Sequence, residues 1–411
     1  MTDVRLTWPG RRPVLPLAQP PCVRLLGIPA SGLQGGRARL LAGEALAALD
    51  RLIDEGQTGQ VDLAYLDPPF GAGVQWPRRV EVQTGGGAQP LEVIAYDDPA
   101  SGLAEWLQHL DDVLDRVHRL LSPRGSVYLH LDFRRAPHAR LLLDERFGPG
   151  CLRNEIVWAY GLGGSSADRF GRKHDVIQFY AKDPKQVYFR APLQRATSVR
   201  LRGQAKRATD VWQTASAGPA AEIEDAWPDE LVDLTLSNSD GQRTGYPTQK
   251  PLALLARMVH ASLPPGGLAL DPMAGSGTLA IAAVLAGGAA ICADRSLVAL
   301  DAARGRLVAA GAAVTLDAVA GGAAWRELQQ PAARVQGGVA ARLESELGAP
   351  GGLPFSAWGV VDADGNALAW WDAGADRVRS EVPQGLAVVP GAAAAFVAVD
   401  VAGQLWRSPL A

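Results

Sequence analysis

The run Val61-Asp-Leu-Ala-Tyr-Leu-Asp67-Pro68-Pro69-Phe70 sets one carboxylate, two proline carbonyls and an aromatic face at the end of an apolar stretch. Those groups suit a planar ring that carries an amino group. Prolines fix φ and donate no N–H, so the turn offers mainly acceptors. Asp67 and the Pro68 carbonyl can accept both hydrogens of an exocyclic amine, Pro69 stiffens the turn, and Phe70 can stack on the ring. Taken alone, Asp-Pro-Pro reads equally as a strand-ending turn with a solvated acid, so the rest of the chain must decide.

A second run, Leu268-Ala-Leu-Asp271-Pro-Met273-Ala-Gly275-Ser-Gly277-Thr278-Leu-Ala280, continues through apolar residues from Ile281 to Ile291 into Cys292-Ala-Asp294. It reads as strand, glycine loop, helix, strand and acid. Glycines let backbone approach a ligand closely, and the helix that follows opens on free N–H groups. An acid at the next strand's tip suits a ribose diol. Gly275-Ser-Gly277-Thr-Leu-Ala280 also fits the dinucleotide fingerprint, with Asp294 near the ~20-residue offset of its acid. A phosphate loop of Walker type is excluded, because no Lys follows Gly277. Asp271 weighs against a pyrophosphate and would welcome a cationic amino acid group joined to a nucleoside. Upstream, Tyr246-Pro-Thr248-Gln-Lys250-Pro251 opens an amphipathic helix, where Lys250 and the Thr248 hydroxyl could hold a carboxylate; alone, it is a helix start with an exposed Lys.

Both runs need strands to position them. Val61 to Leu66 and Leu268 to Leu270 are short, largely apolar runs that read as strands. In an open α/β sheet, ligands gather at the carboxyl edge of the strands. The first strand comes early in the chain and the second late, yet both loops can emerge on one edge.

These segments resemble the amino-methylating DNA methyltransferases that act on adenine N6 or cytosine N4, in the subgroup whose catalytic segment precedes the cofactor loop. Asp67 to Phe70 is similar to the family's catalytic motif, Asp271 to Thr278 to its cofactor loop, and Thr248 to Pro251 to the segment before that loop. Fainter likenesses are Arg39 to Leu46 with Glu44, Gly125 to Asp132, Asn154 to Tyr160 and His174 to Tyr180. Met273 departs from the family's usual aromatic residue, and Glu44 stands where relatives often carry Asp. The resemblance implies a doubly wound, mostly parallel α/β sheet of the S-adenosylmethionine-dependent type, in permuted order. It implies S-adenosyl-L-methionine held by Glu44, Thr248, Lys250, Asp271, Met273, Gly275, Gly277, Thr278 and Asp294, with Asp67, Pro68, Pro69 and Phe70 as the catalytic set.

Charge is sorted along the chain. The net charge is only -3, yet Arg134 to Asp210 holds sixteen Lys and Arg against seven Asp and Glu, whereas Gly321 to Ala411 holds six Arg against nine acids. A basic run can be a plain solvated face, but phosphate contacts also need one. This one overlaps the place of the family's target-recognition region, so Arg190, Arg195, Arg200, Arg202, Lys206 and Arg207 are assigned to double-stranded DNA. Trp158 or Tyr160 would form a second wall for the base.

The reading divides the chain into a Pro/Gly-rich arm at 1–37, a catalytic half at 38–183 and the basic recognition region at 184–245. A cofactor half at 246–320 and a β-rich appendage at 321–411 follow. Trp358 to Trp371 suggests two strands around an Asp-Gly turn, with further apolar runs at Leu386 to Val389 and Phe396 to Val401. The appendage's acidity points away from DNA. Gly71 to Pro99 has the composition of a mobile loop. The distant cysteines Cys22, Cys151 and Cys292 and the absence of Cys/His spacing argue against disulfides and metal, and no apolar run is long enough to span a bilayer. A cytoplasmic enzyme is expected, with a restriction endonuclease and a second copy of the chain as further candidate partners.

The chemistry implied is methylation of adenine N6 in a flipped-out base, with cytosine N4 the alternative and structured RNA a lesser one. The amine is a poor nucleophile until its nitrogen pyramidalises, which acceptors at Asp67 and Pro68 favour. Carbon methylation would need a cysteine nucleophile, and Pro21-Cys22 is the only dipeptide of that kind, inside the Pro-rich arm. A non-catalytic DNA-binding subunit or an NAD-dependent oxidoreductase remain the readings from other classes.

Overall fold

A computed structural model describes residues 5–30, 36–84, 87–160, 166–195, 205–213 and 243–319, and the strands at 326–327, 355–361, 367–372, 377–379, 395–400 and 405–409. The first half runs β1 (Cys22–Ile28), β2 (Arg37–Ala42), α1 (Ala45–Asp54), β3 (Val61–Leu66), β4 (Val74–Thr84), β5 (Gly87–Asp98), α2 (Leu103–Leu120), β6 (Leu121–Leu131), α3 (Ala136–Phe147), β7 (Leu152–Ala159) and β8 (His174–Ala181). After the short strands β9 (Leu193–Arg195), β10 (Ala205–Arg207) and β11 (Val211–Gln213) come α4 (Leu252–Ser262), β12 (Leu268–Asp271), α5 (Thr278–Leu285), β13 (Ala289–Asp294), α6 (Leu297–Ala309) and β14 (Ala313–Val319). The C-terminal part contributes β15 (Arg326–Glu327), β16 (Phe355–Val361), β17 (Ala367–Asp372), β18 (Arg377–Arg379), β19 (Ala395–Asp400) and β20 (Leu405–Pro409).

Ten strands form one sheet in the order β1-β14-β2-β13-β12-β3-β6-β8-β7-β11. Its neighbours are parallel except where β8 runs against both β6 and β7, and where β1 runs against β14. The centre is the pair β12 and β3, with Leu270 opposite Ala64. From β12 the chain winds towards β13 and β14, and from β3 it winds towards β6. That reversal is a topological switch point, where open sheets leave a crevice. The permuted, doubly wound sheet expected from the motif order is therefore present.

Side chains of β3 alternate as a strand's must. Leu63 and Tyr65 join the core beneath α4, α5 and α6, while Ala64 and Leu66 join the core beneath α1, α2 and α3. All six residues of β3 are buried. Each such apolar side chain contributes about 2 kcal/mol of burial, so the strand that aims Asp67 is held firmly from both faces.

Three expectations need correction. The stretch 1–37 is not wholly an arm, because Cys22 to Ile28 form the sheet's antiparallel edge strand. Residues before it are strapped to α2 and α3: Arg11 pairs with Asp111 and Glu145, and Arg12 with Asp112 at 2.8 Å. Gly71 to Pro99 is no mobile loop but the antiparallel hairpin β4–β5. Arg78 anchors the hairpin by reaching Asp301 of α6 at 3.0 Å, with both side chains 2% exposed. Finally, β11 lies within the stretch read as a separate recognition region, yet it extends the main sheet beside β7.

The C-terminal strands form a five-stranded sheet in the order β15-β20-β19-β16-β17. Trp358 pairs with Trp371 across β16 and β17; the Asp-Gly turn between them and the run Leu386 to Val389 lie outside the described residues. Strand β18 is not part of that sheet and pairs in parallel with β4.

Candidate active site

Because β3 and β12 are neighbours, Asp67 and Asp271 emerge together at the carboxyl edge. A cavity of about 840 Å³ opens there, lined by Glu44, Asp67, Pro68, Pro69, Phe70, Trp158, Tyr160, Thr248, Lys250, Asp271, Met273, Gly275, Thr278 and Asp294. Fourteen positions singled out in the sequence thus share one cavity, and Gly277 adjoins it as the residue that caps α5.

The proline turn is held from outside. The Trp106 indole N–H donates to the Pro69 carbonyl at 2.9 Å, and Arg135 Nε donates to the Phe70 carbonyl at 3.0 Å. The Arg135 guanidinium also lies 4.9 Å from the Trp106 ring centre. Beyond Phe70, the buried Asp98 carboxylate accepts the N–H groups of Gly71 and Ala72. Among the described residues no donor takes the Pro68 carbonyl, so it remains an acceptor for a ligand.

The glycine loop is held by close packing. Gly275 and Gly277 adopt φ of 50° and 72°, the left-handed region that glycine tolerates. A Cβ at Gly277 would lie 2.6 Å from the Ala303 Cβ of α6. Asp294 accepts the Gly275 N–H at 2.9 Å and the Ser296 N–H at 2.8 Å, so the acid assigned to a ribose also fixes the loop. Arg306 donates to the Ser276 carbonyl at 2.8 Å and to the Thr278 hydroxyl at 3.0 Å.

Electrostatics favour a cation. Seven acids and four Lys or Arg line the cavity, a surplus of negative charge that attracts a positively charged ligand. Burial pushes the Asp271 carboxyl well above the usual range; the Met273 N–H opposes that rise, and the negative Asp67 and Asp294 add to it. A cationic group beside Asp271 would relieve the strain of that burial. The residues present therefore fit a cationic amino acid joined to a nucleoside: close backbone at Gly275 and Gly277, a buried acid at Asp271, and two further acids, Asp294 and Glu44, in the lining.

Lys250 and Thr248, read in the sequence as a carboxylate clamp, both line the cavity and have protein partners there. The Lys250 ammonium pairs with Asp67 Oδ2, and the Thr248 hydroxyl lies 3.2 Å from that of Tyr96 in the hairpin. Thr248 also has φ 55°, uncommon for a β-branched residue. Attraction between opposite charges holds Lys250 on Asp67.

Trp158 is buried and Tyr160 half-buried, with ring centres 5.4 Å apart. The Tyr160 hydroxyl donates to Asp175 at 3.3 Å, and Asp175 meets His130, which in turn meets the Tyr65 hydroxyl at 2.8 Å. Of the basic residues assigned to DNA, Arg190, Lys206 and Arg207 lie away from the cavity lining; the Arg195 side chain, Arg200 and Arg202 lie outside the described residues. Sequence reasoning missed Trp106, Arg135, Asp98, Tyr96 and Asp175. Asp175 lies within the faint likeness His174 to Tyr180, whereas the other four sit in no motif and reach the site only through tertiary packing.

The model of the DNA methylase family, for N6 and N4 methyltransferases, matches residues 61–304. Among curated relatives, the type II methyltransferase M.ScaI of Streptomyces caespitosus is 28% identical over 214 residues, half of this chain and 68% of that protein. The DNA adenine methyltransferase YhdJ of Escherichia coli (strain K12) is 27% identical over 252 residues, 60% of this chain and 75% of that one. Among solved structures, the M1.HpyAVI–SAM complex aligns with 66% of this chain and 98% of its own at 16% identity and a TM-score of 0.42. Since the family match runs from the strand of the proline turn through the glycine loop into α6, this chain belongs to the DNA methylases that modify exocyclic amino nitrogens.

Proposed function

We propose that the protein is a site-specific DNA methyltransferase that moves a methyl group from S-adenosyl-L-methionine to adenine N6 in a flipped-out base. The observation that carries this reading is the shared cavity: the acceptor turn at Asp67 and Pro68 faces the acid-backed glycine loop at Asp271 to Thr278 across one crevice. Similarity to type II methyltransferases supports a modification enzyme of the restriction–modification kind, and the YhdJ relative supports adenine.

When bound, S-adenosyl-L-methionine supplies an electrophilic methyl on a sulfonium. The chain's own groups do the rest. Asp67 accepts one amine hydrogen and the uncommitted Pro68 carbonyl the other, which favours a pyramidal nitrogen and takes up positive charge as it develops. Lys250 occupies Asp67 Oδ2, which leaves Oδ1 to face the base. Phe70 and Tyr160 offer flat surfaces to the ring, and stacking there offsets the few kcal/mol that base extrusion costs. The departing proton passes to water, an ordinary carboxylate being a weak base.

Incubation with S-adenosyl-L-methionine tritiated in its methyl group and mixed-sequence DNA, followed by digestion to nucleosides, tests the proposal. Label in N6-methyladenine is expected. Label in N4-methylcytosine overturns the base assignment, and DNA without label overturns the activity.

A further inference from the structure

Phe170 stands out on the surface. Its side chain is 97% exposed, against 62% for Leu285, the next most exposed large apolar residue among those described. A ring fully in water contributes little to the fold, and an exposed aromatic among cations combines the two groups that contact nucleic acid, a stacking face and charge for phosphates. Arg169, Arg172 and Lys173 flank it within four positions, offset by Asp168, which pairs with Arg169 at 3.1 Å. The Arg172 guanidinium lies 3.8 Å from the ring centre of Phe133, itself 40% exposed, and the neighbouring Arg134 lines the cavity.

The place of this cluster matters as much as its chemistry. Phe170 lies in the connection between β7 and β8, at the carboxyl edge of β7. The Tyr160 N–H donates to the Lys173 carbonyl at 3.0 Å and closes the base of that connection. Tyr160 and Asp175, on either side, both line the cavity, whereas Phe170 does not. Phe170 thus sits in a connection whose two ends reach the cavity, outside the space that would hold an extruded base.

We propose that Phe170 is a wedge: it enters the duplex where the target base has left the stack, while Arg134, Arg169 and Arg172 contact the flanking phosphates. This rests on the reading of duplex DNA as substrate. Extruding a base leaves two neighbours unstacked, and a flat apolar ring filling that gap recovers part of the loss. Cationic flanks complement the phosphates on either side. The wedge is worth most when a paired base must be displaced and least when the target has no partner to leave.

That difference supplies the experiment. Initial rates of methyl transfer are compared for the wild type, Phe170→Ala and Phe170→Trp on two substrates, both carrying the sequence that the wild type methylates. In one the target base is paired; in the other it faces an abasic site. Phe170→Ala is expected to lose roughly tenfold or more in kcat/KM on the paired duplex, as removal of an aromatic stacking partner does, and about twofold at most on the abasic one. Phe170→Trp should restore the paired rate. Equal losses on both substrates, or no loss on the paired duplex, overturn the wedge; equal losses with a lowered melting temperature assign Phe170 to the fold or to another partner. A wild type that labels no DNA sinks the methylase reading and the wedge together, while normal wild-type labelling with an unaffected Phe170→Ala sinks the wedge alone.

Discussion

The proline turn after β3 and the glycine loop after β12 leave neighbouring strands at the same edge, yet they are fixed in opposite ways. The turn is stiff by covalent geometry, presents acceptors, and is pinned by side chains that arrive from α2 and α3: Trp106 and Arg135 on its carbonyls. The loop is conformationally permissive, offers close backbone, and is pinned by contact, with α6 closing on Gly277 and Asp294 holding Gly275. One ligand must be gripped through its hydrogens and the other through close backbone, and each kind of grip calls for a different kind of support. The helices divide accordingly, α1 to α3 serving one face and α4 to α6 the other.

If the two regions have separate tasks, substitutions should separate them. Asp67→Ala removes the one charged acceptor aimed at the amine, and label transfer should fall by roughly 10³-fold or more, the scale seen when a transition-state hydrogen-bonding group is lost. Calorimetric titration should still find cofactor binding. Normal turnover in that variant would strip Asp67 of its role; lost binding would merge the two tasks. Next in size is Gly277→Ala, where the φ of 72° and the 2.6 Å approach to Ala303 force backbone to move. That cost is about 1–3 kcal/mol, read as a weakened cofactor affinity and a lowered melting temperature. Gly275→Ala meets only the Tyr246 ring edge at 3.2 Å and should suffer less. The reverse ranking would contradict the packing account.

The two runs were legible because their chemistry is local. A wholly buried six-residue strand ending in Asp-Pro-Pro and a strand–glycine–helix junction carry their geometry in consecutive residues, and neighbouring sheet positions follow from the family resemblance. What supports them was not legible. Arg78 meets Asp301 across 223 positions, and no local signal marks that Arg as buried. The hairpin β4–β5 was hidden by its tip, since Gly85-Gly86-Gly87 reads as a loop unless the flanking Val80-Glu-Val82 and Leu91-Glu-Val93 are taken as paired strands. The run Cys22 to Ile28, apolar apart from Arg24, is likewise masked by the prolines before it. The pairing of Lys250 with Asp67, 183 positions away, becomes visible only in space.

Smaller substitutions sharpen the comparison further. Trp106→Phe deletes the donor on Pro69 while keeping an aromatic ring, a loss of about 1 kcal/mol. Turnover at saturating cofactor should drop several-fold with cofactor affinity unchanged. Arg306→Gln loosens Ser276 and Thr278 and should do the opposite, weakening cofactor binding with little change in maximal rate. Crossed outcomes would mean that turn and loop respond as a single unit.

The smallest effect is one of sign, and it distinguishes the two supports by pH. His118 lies on α2, the helix that carries Trp106; burial, together with Lys182 and Arg146, pushes its imidazole down to about 4 from 6.5. The unfolded chain then binds more protons than the folded one between those values, so stability contributed by neutral His118 is lost as pH falls from 6.5 towards 4. Asp271, beneath the glycine loop, is shifted upward by burial from 3.8. Its folded form binds more protons, so its contribution grows as pH falls and is lost as pH rises through the folded value. Acidification should therefore loosen α2 while leaving α5 as firm or firmer. Amide hydrogen exchange at pH 7 and pH 5, corrected for intrinsic rates, reads both helices at once, and His118→Gln should erase the response of α2 alone. Equal loss of protection in α2 and α5 would show that the two faces of the sheet open together.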